Sequence, residues 1–179
     1  KRAINGPMIW SPDSNALFGP IPEIKNYFCC NGIIPGFSQS GGLGLMTAEW
    51  IIKGETKYDL FPWDLSRFDE WANQSFTKAR VGDQYANRFK IHFPNEERSA
   101  GRPLRQAPCY ERLKKLGAVF GQKFGWERAN FFATDGMEQK DDWSFRRSKW
   151  FEAIQKECKN VKENVGLLDM TAFAKCRIK

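Results

Sequence analysis

Hydrophobic and polar positions form short regular segments, and the longest pattern runs from Tyr27 to Glu55. It begins with a short apolar run at Tyr27–Cys30, which is typical of a strand, and continues through a turn at 31–38 that contains glycine and proline. The pattern then predicts a helix that begins near Ser40 and ends before Gly54. Because apolar side chains occur on nearly every face of this helix, we expect it to be buried all round.

Three glycines, Gly41, Gly42 and Gly44, lie at the predicted helix start. They lower helix stability but allow another group to approach the backbone closely. The first N–H groups of a helix have no intrahelical partner and carry the positive end of the helix dipole. A strand, a tight turn and a glycine-rich helix start therefore favour a ligand site. Close packing of the glycines is the alternative explanation, and the residues alone leave both open.

The other segments alternate between strand-like and helix-like patterns, which predicts a mixed α+β fold. Ser66 and Asp69 have the spacing of a capping box, and a helical pattern follows as far as about residue 82. The loop at 92–108 contains three prolines and is long for a simple connection. The further predicted elements are strand ends at Met8–Trp10 and Ala16–Phe18, a short helix at Cys109–Leu116, strands at Ala118–Phe120 and Gly125–Ala133, a polar loop at 134–142, a helix from Phe151 to Val165, and strands at 167–170 and 173–178.

Composition narrows the functional classes. Apolar residues make up 41% of the chain and aromatic residues 15%, which is enough for a packed core. The net charge is +7, but basic and acidic side chains are interspersed, so we predict no nucleic-acid partner. A basic RNA-binding module is a weak alternative that predicts steep salt dependence of binding. The five cysteines are odd in number and lack C-x-x-C spacing, which argues against a disulfide framework or a zinc site.

The ends of the sequence have the character of internal positions. The first residue is not Met, and residues 174–179 alternate as a strand does. No apolar run is long enough to span a bilayer, and no secretory signal opens the sequence, so we predict no membrane partner. We expect a segment of a longer polypeptide that is inactive by itself.

Three stretches resemble, in order, the domains of the dimethylglycine and sarcosine dehydrogenase family. GFSQSGGLGLMTAEWIIKGE (36–55) is similar to the last strand–turn–helix of the amino-acid-oxidase-like FAD domain. GRPLRQAPCYERLKKLGAVFGQKFGWERANFF (101–132) resembles the middle domain, and WFEAIQKECKNVKENVGLLDMTAFAKCRI (150–178) the opening of the aminomethyltransferase-like folate-binding domain. The resemblance implies the C-terminal part of the FAD domain at 1–62, a small α+β middle domain with a connecting helix at 63–142, and the truncated start of the folate-binding domain at 143–179.

The resemblance also implies a function. The expected parent protein is an FAD-dependent dehydrogenase or oxidase that oxidises an N-methyl amine such as dimethylglycine or sarcosine and transfers a one-carbon unit to tetrahydrofolate. Its partners would be the amine, the remainder of its own polypeptide and an electron acceptor that the sequence does not identify. Its location would be the bacterial cytoplasm or the mitochondrial matrix. The alternative is a non-catalytic regulatory subunit of the same architecture, similar to that of pyruvate dehydrogenase phosphatase.

The same resemblance assigns the turn and the helix start to the flavin. Negative charge accumulates at the pyrimidine edge of a reduced flavin, so N–H donors and a helix N-terminus there would stabilise it. Pro35 departs from the family pattern and removes one donor. Catalytic residues are not identified, and no metal site is expected. The implied cofactor-binding residues are Ile34, Pro35, Gly36, Phe37, Ser38, Gly41 and Gly42.

Other chemically suggestive residues are assigned structural roles. His92 does not match the flavin-linking histidine of the family, and Asp13 is expected to form a turn. Glu127 is expected to form a structural ion pair with its neighbour Arg128. Phe173 falls at an early pterin-side position of the family, but core packing is favoured. The charged loop of Glu96, Glu97, Arg98, Arg102 and Arg105 is expected to form an ion-pair network, with an anion clamp as the alternative.

Overall fold

The computed structural model describes residues 2–178, and the chain separates into two compact units between Arg88 and Phe89. Each unit combines helices with a two-stranded antiparallel sheet, so the predicted mixed class of fold is confirmed. The domain boundaries predicted at residues 62 and 142 come from a family resemblance, whereas the division at residue 88 separates compact units. They stay predictions.

The first unit is built on two short strands, β1 (Leu17–Pro20) and β2 (Phe28–Asn31), which pair antiparallel. The strand predicted at Tyr27–Cys30 is therefore confirmed as β2. Phe18 is fully buried in this unit, and its N–H donates to the carbonyl of Trp63 at 3.0 Å. The strand predicted at Met8–Trp10 is wrong, because no described strand lies beside this exposed stretch to complete its hydrogen bonds.

Helix α1 comprises Gly36–Lys53 and ends where the sequence predicts. Gly54 follows it with a left-handed φ of 80°, and its N–H bonds the carbonyl of Trp50 at 2.8 Å. The helix begins about one turn earlier than predicted. Because Pro35 has no N–H to lose and its carbonyl accepts from Ser38 and Gln39, the chain turns into the helix directly after it.

The prediction that α1 is buried all round is wrong for the described chain. Leu43 is its one buried residue, and it packs in a cluster that contains Phe18 and Leu60. Leu45 and Ile52, on other faces, are 73% and 80% exposed. The cluster covers one face of the helix, so the rest of its apolar surface is left uncovered within residues 2–178.

The helix predicted from Ser66 is replaced by two separate elements. A short 3-10 helix, Leu65–Arg67, is capped by Asp64, and α2, Gln74–Asn87, is capped by Asn73, whose side chain accepts from the N–H of Phe76 at 2.9 Å. The apolar pattern between them comes from aromatic stacking. The ring centroids of Phe68 and Trp71 are 5.8 Å apart, and those of Trp71 and Phe76 are 5.4 Å apart.

The second unit is built on the hairpin of β3 (Ala118–Lys123) and β4 (Trp126–Phe132), which confirms the two strands predicted there. Helix α3 (Tyr110–Lys115) precedes it, followed as predicted by Gly117, whose φ is 92°. Helix α4 (Phe151–Glu163) confirms the predicted amphipathic helix. Its inward face packs on the hairpin in a cluster of Val119, Phe131, Ala153, Trp150 and Ile154.

The polar loop at 134–142 contains no helix or strand, as predicted. Its side chain Gln139 donates through Nε2 to the carbonyls of Lys114 at 2.9 Å and Ala118 at 2.7 Å. The strands predicted at 167–170 and 173–178 are wrong over the part that the structure describes. No described strand lies alongside either stretch to supply the hydrogen bonds that an isolated strand lacks.

Candidate functional site

The turn between β2 and α1 contains every residue that the sequence assigns to the flavin before the helix. Ile34 donates its N–H to the carbonyl of Gly32 at 3.0 Å, which closes a tight turn directly after the strand. Gly32 is buried and has a φ of 69°, a conformation that glycine adopts without strain. The turn therefore brings Pro35 and Gly36 to the start of the helix over a very short path.

Two backbone donors at the start of α1 have no acceptor among residues 2–178. The N–H groups of Ser38 and Gln39 both bond the carbonyl of Pro35, at 3.1 and 3.0 Å. The N–H groups of Gly36 and Phe37 make no such bond. No side chain caps this helix end, and its first turn contains no acidic residue. The positive end of the helix dipole is therefore uncompensated within the described chain.

The glycines of α1 border open space. A Cβ atom placed on Gly36, Gly41, Gly42 or Gly44 would meet no neighbouring atom within 4 Å. The glycines are thus not required by packing inside the described chain. This observation favours the ligand-site interpretation over the packing interpretation that the sequence left open.

Gly41 and Gly42 have a different role from the one their positions suggest in sequence. Because α1 begins at Gly36, both lie beyond its first turn, where N–H groups bond carbonyls within the helix. They supply bare surface, while the free donors belong to Gly36 and Phe37. The ring of Phe37 is fully exposed beside these donors, which the sequence pattern does not predict.

The opposite face of α1 is anchored to the sheet by Trp50. Its ring makes edge contacts with Phe18 and Phe28, with centroid distances of 6.2 and 6.1 Å. Gly19, whose φ is 116°, leaves room for this ring, since a Cβ there would lie 3.0 Å from it. Packing of Trp50 against the sheet therefore helps to fix the orientation of α1.

A buried arginine fixes the chain on the other side of β1. Arg67 donates from Nε and Nη2 to the two carboxylate oxygens of Asp13, at 2.8 and 3.0 Å. The same carboxylate accepts from the N–H of Asn15 at 3.1 Å, which confirms that Asp13 forms a turn. The sequence did not reveal its pairing with Arg67, which lies 54 residues away.

A second candidate site is a cavity of about 510 Å³ in the second unit, between β4, α4 and the segment after α4. Its wall combines apolar side chains with the charged groups of Arg128, Glu157 and Asp169. Phe173 lines this cavity and is 51% exposed, so the expectation that it packs in a core is wrong. The residues after α4 do not cover its ring.

The segment beside this cavity is fastened to α3. The thiol of Cys109 donates to Asp169 at 3.2 Å. Burial raises the pKa of this thiol, and the hydrogen bond and charge of the carboxylate raise it further. Hydrogen bonds from the hydroxyl and the N–H of Thr171 lower the pKa of Asp169. The thiol is therefore held protonated, which is unfavourable for a nucleophile.

The charged loop before α3 forms an ion-pair network, as expected. Arg102 donates from Nε and Nη2 to the buried carboxylate of Glu127, at 3.0 and 2.7 Å, and to the carbonyl of Phe120 at 2.7 Å. The partner of Glu127 is thus Arg102 and not its neighbour Arg128, because adjacent strand residues point to opposite faces. Glu97 joins the network by accepting from the N–H of Gln122 at 2.6 Å.

Charges in this network act on one another. Burial works to lower the pKa of Arg102, but the hydrogen bond and charge of Glu127 raise it overall. Burial raises the pKa of Asp141, and the charge of Glu97 raises it further against the opposing effect of Arg102. This arrangement is typical of a structural network in which one guanidinium serves several carboxylates.

His92 lies on the surface, consistent with its expected structural role. Its ring is within 3.0 Å of a guanidinium nitrogen of Arg98 and 3.6 Å of the carboxylate of Glu96. Within residues 2–178, no group of three or more His, Cys, Asp and Glu side chains is arranged to hold a metal ion. Over the same range, no helix is both long and apolar enough to cross a membrane.

Two known domain families match consecutive parts of the chain from residue 53 onward. Residues 53–107 match the FAD dependent oxidoreductase central domain, and residues 109–179 match the GCVT N-terminal domain. The first match begins at the last residue of α1, and the second contains the β3–β4 hairpin and α4.

Several relatives match almost the whole chain. Mitochondrial dimethylglycine dehydrogenase of Mus musculus is 34% identical over 99% of this chain, and 4-methylaminobutanoate oxidase (formaldehyde-forming) of Paenarthrobacter nicotinovorans is 34% identical over 99%. Mitochondrial sarcosine dehydrogenase of Homo sapiens is 28% identical over 98%. The mitochondrial pyruvate dehydrogenase phosphatase regulatory subunit of Mus musculus is 30% identical over 99%, and is thus more distant than the dimethylglycine dehydrogenase and the oxidase.

The matched region is a small part of each relative. It amounts to 20% of the dimethylglycine dehydrogenase and 22% of both the oxidase and the sarcosine dehydrogenase. The two family matches meet between residues 107 and 109, so most of the stretch 101–132, which the sequence analysis likened to the middle domain, falls in the GCVT match. The chain therefore belongs to the dimethylglycine and sarcosine dehydrogenase family, and it spans about a fifth of the length of the relatives that it matches.

Proposed function

We propose that the chain is part of a longer FAD-dependent enzyme that oxidises an N-methyl amine, such as dimethylglycine or sarcosine, and transfers the one-carbon unit to tetrahydrofolate. Its electron acceptor is not identified, and its location would be the mitochondrial matrix or the bacterial cytoplasm. The relatives named for N-methyl amine oxidation support this proposal. The observation that carries it is the open, uncapped start of α1.

The start of α1 fits the electron-rich edge of a flavin. Two free N–H groups, on Gly36 and Phe37, lie at the positive end of an 18-residue helix. Open space borders Gly41 and Gly42, so a flat ring system can approach the backbone without displacing a side chain. Ile34, Pro35 and Ser38 complete the turn that we assign to this site.

The residues of this site would bind and stabilise, while the chemistry would belong to the cofactor. A bound FAD would supply the acceptor for the hydride that leaves the amine. Gly36 and Phe37 would donate hydrogen bonds where negative charge develops, and the uncompensated dipole of α1 would favour that charge. Since Pro35 has no N–H, these two donors are the backbone hydrogen bonds that the turn itself offers.

The cavity beside Phe173 supports the second half of the proposal. Its apolar wall suits a flat aromatic ring, and Arg128, Glu157 and Asp169 offer polar contacts at the edge. In the proposed enzyme this wall would form the first part of the tetrahydrofolate site.

The decisive experiment for the proposed function is a visible spectrum of the full-length parent protein. We expect a yellow protein whose flavin absorbance is bleached anaerobically by dimethylglycine or by sarcosine. A protein that purifies without flavin and does not take it up would contradict the proposal.

The site assignment has its own test, a bulky side chain on the glycine face. Gly42→Leu should lower flavin occupancy strongly, because the leucine would fill the space proposed for the ring. Gly82→Leu in α2 is the matched control, since that glycine is also helical and borders open space. Equal flavin content in both variants would exclude the start of α1 as the flavin site while leaving the enzyme class intact.

A regulatory subunit is the second candidate, and the match to the pyruvate dehydrogenase phosphatase regulatory subunit supports it. In that case the open helix start would be kept as architecture without redox chemistry. The same spectrum separates the two candidates, because a regulatory subunit would show no bleaching by any N-methyl amine.

A further inference from the structure

The chain contains the dipeptide Asn-Gly twice, at Asn5-Gly6 and at Asn31-Gly32. This dipeptide is the sequence most prone to spontaneous deamidation, because the backbone nitrogen of an unsubstituted glycine reaches the side-chain amide of the preceding asparagine with little steric hindrance. Whether that attack happens depends on the freedom of both groups. The structure places the two dipeptides in opposite environments.

Asn5-Gly6 lies in a stretch with no helix or strand. Both residues are exposed, and neither makes a hydrogen bond to another described residue. A Cβ on Gly6 would meet no atom within 4 Å. The nearest side chain with a ring contact is Trp10, whose centroid is 5.8 Å from that of Tyr85. The dipeptide therefore precedes the first point at which aromatic packing anchors the chain.

Asn31-Gly32 is held in place by the fold. Asn31 ends β2, where it pairs with Leu17 of β1, and its side-chain amide nitrogen lies 3.2 Å from Sγ of Cys29 as a donor. Gly32 is buried with a φ of 69°, and its carbonyl accepts from Ile34. Asn31 itself is exposed, so the difference between the two sites is one of restraint and not of access to water.

We propose that Asn5 is a site of spontaneous deamidation and that Asn31 is protected from the same reaction by the β1–β2 pairing. The backbone nitrogen of Gly6 attacks Cγ of Asn5, a new N–C bond forms, and the bond from Cγ to Nδ2 breaks with loss of ammonia. Water then opens the cyclic imide at either carbonyl and leaves aspartate or isoaspartate at position 5. One neutral amide becomes one carboxylate, and no oxidant or reductant takes part.

The modification changes the chain locally. It adds one negative charge three residues after Arg2 in the sequence, and the isoaspartate form adds a methylene group to the backbone between residues 5 and 6. Since this stretch has no hydrogen bonds to the rest of the described unit, the core of Phe18, Leu43 and Leu60 does not oppose the reaction. The product with isoaspartate is the substrate class of enzymes that methylate isoaspartyl carboxylates.

The test is to age the full-length parent protein at mildly alkaline pH and to follow both asparagines by peptide mass spectrometry. Trypsin separates them, because cleavage after Arg2, Lys25 and Lys53 gives one peptide for each dipeptide, and fragmentation locates the modified residue. We expect Asn5 to react at least roughly tenfold faster than Asn31, since a local opening free energy of only about 1.4 kcal/mol is enough for that ratio. Equal rates, or a faster reaction at Asn31, would overturn the proposal.

Two controls assign the effect to its cause. Gly6→Ala adds a methyl group where the structure has open space, so it should slow the reaction at Asn5 while leaving Asn31 unchanged. In urea the two rates should converge, because the restraint on Asn31 is lost. A ratio that persists in urea would show that the fold does not protect Asn31.

Discussion

Glycines at the start of α1 border open space, whereas glycines at the β3–β4 hairpin are tightly packed. Gly41 and Gly42 border space in which a Cβ would meet nothing within 4 Å. A Cβ on Gly121 would overlap the side chains of Asn130 and Glu97, and one on Gly117 would lie 3.1 Å from the carbonyl oxygen of Ala133. The same residue type therefore marks open space at the start of α1 and occupied space at the β3–β4 hairpin.

Charge follows the same division. The first turn of α1 contains no acidic side chain, while the hairpin encloses Arg102 and Glu127 with side-chain exposures of 14% and 2%. A region that is open and uncompensated is suited to receive a ligand, and a region that is filled and neutralised is suited to hold its own shape. The difference teaches that a glycine-rich pattern acquires functional meaning only from its surroundings.

The largest effect should come from breaking the buried pair in the hairpin. Arg102→Met leaves the carboxylate of Glu127 buried without its partner, which should lower the free energy of unfolding by about 3–5 kcal/mol. Urea unfolding measures the loss. Arg128→Met, at an exposed position of β4 next to Glu127, should change the free energy of unfolding by less than about 0.5 kcal/mol. A similar loss in both variants would contradict the assignment of Arg102 as the partner of Glu127.

A smaller loss should follow from filling the tight glycine position. Gly121→Ala forces Glu97 or Asn130 to move, and overpacking of this kind should lower the free energy of unfolding by about 1–3 kcal/mol. Thermal unfolding followed by circular dichroism is the measurement. A variant as stable as the original chain would show that the hairpin has room after all and would remove the contrast with α1.

The opposite sign is expected at the open glycine position. Gly42→Ala should raise the free energy of unfolding by up to about 1 kcal/mol, because alanine favours a helix over glycine and the structure offers space for its methyl group. The same unfolding experiment measures the gain. Destabilisation by this small side chain would mean that the helix start is packed against something within the chain.

The smallest effect concerns pH. Burial and the charge of Glu97 raise the pKa of Asp141 in the folded state, so its ionisation opposes folding. Its stabilising contribution is present below the ordinary aspartate pKa and is lost as pH rises through the raised, folded-state value. Asp141→Asn should therefore be more stable than the original chain near neutral pH, and the difference should vanish in acid.

Asp142→Asn provides the control for that experiment in urea unfolding at several pH values. Asp142 forms a surface ion pair with Lys149 at 2.8 Å, so its removal should bring no gain at neutral pH. A gain in both variants would trace the effect to net charge and not to the burial of Asp141.

The sequence predicted those parts of the fold whose signals are local. Gly54 and Gly117 mark helix ends correctly, because a left-handed residue after a helix is a property of a few consecutive residues. The prediction for the start of α1 is about one turn too late, because both Pro35 and the polar residues near Ser40 are typical of a helix start. The aromatic cluster of Phe68, Trp71 and Phe76 imitates a helical period without forming one helix.

The candidate site was predicted in place but not in detail. Glycine positions are visible in a sequence, whereas the N–H groups that remain without an acceptor depend on where the helix begins. Partners across sequence distance are equally hidden, since Arg102 and Glu127 are 25 residues apart and the neighbour Arg128 was the expected partner. The exposure of Phe173 also depends on which segments cover it.

The side-chain nitrogen of Gln139 donates hydrogen bonds to two backbone carbonyls. Its amide has two hydrogens, and they go to the carbonyl of Lys114 at the end of α3 and to that of Ala118 at the start of β3. Displacing this side chain removes one hydrogen bond from each oxygen. The carbonyl of Lys114 keeps the bond from the N–H of Gly117 at 3.0 Å, whereas the carbonyl of Ala118 costs about 1–3 kcal/mol if it finds no substitute. A movement of the loop at 134–142 is therefore coupled, through Gln139, to both the end of α3 and the start of β3.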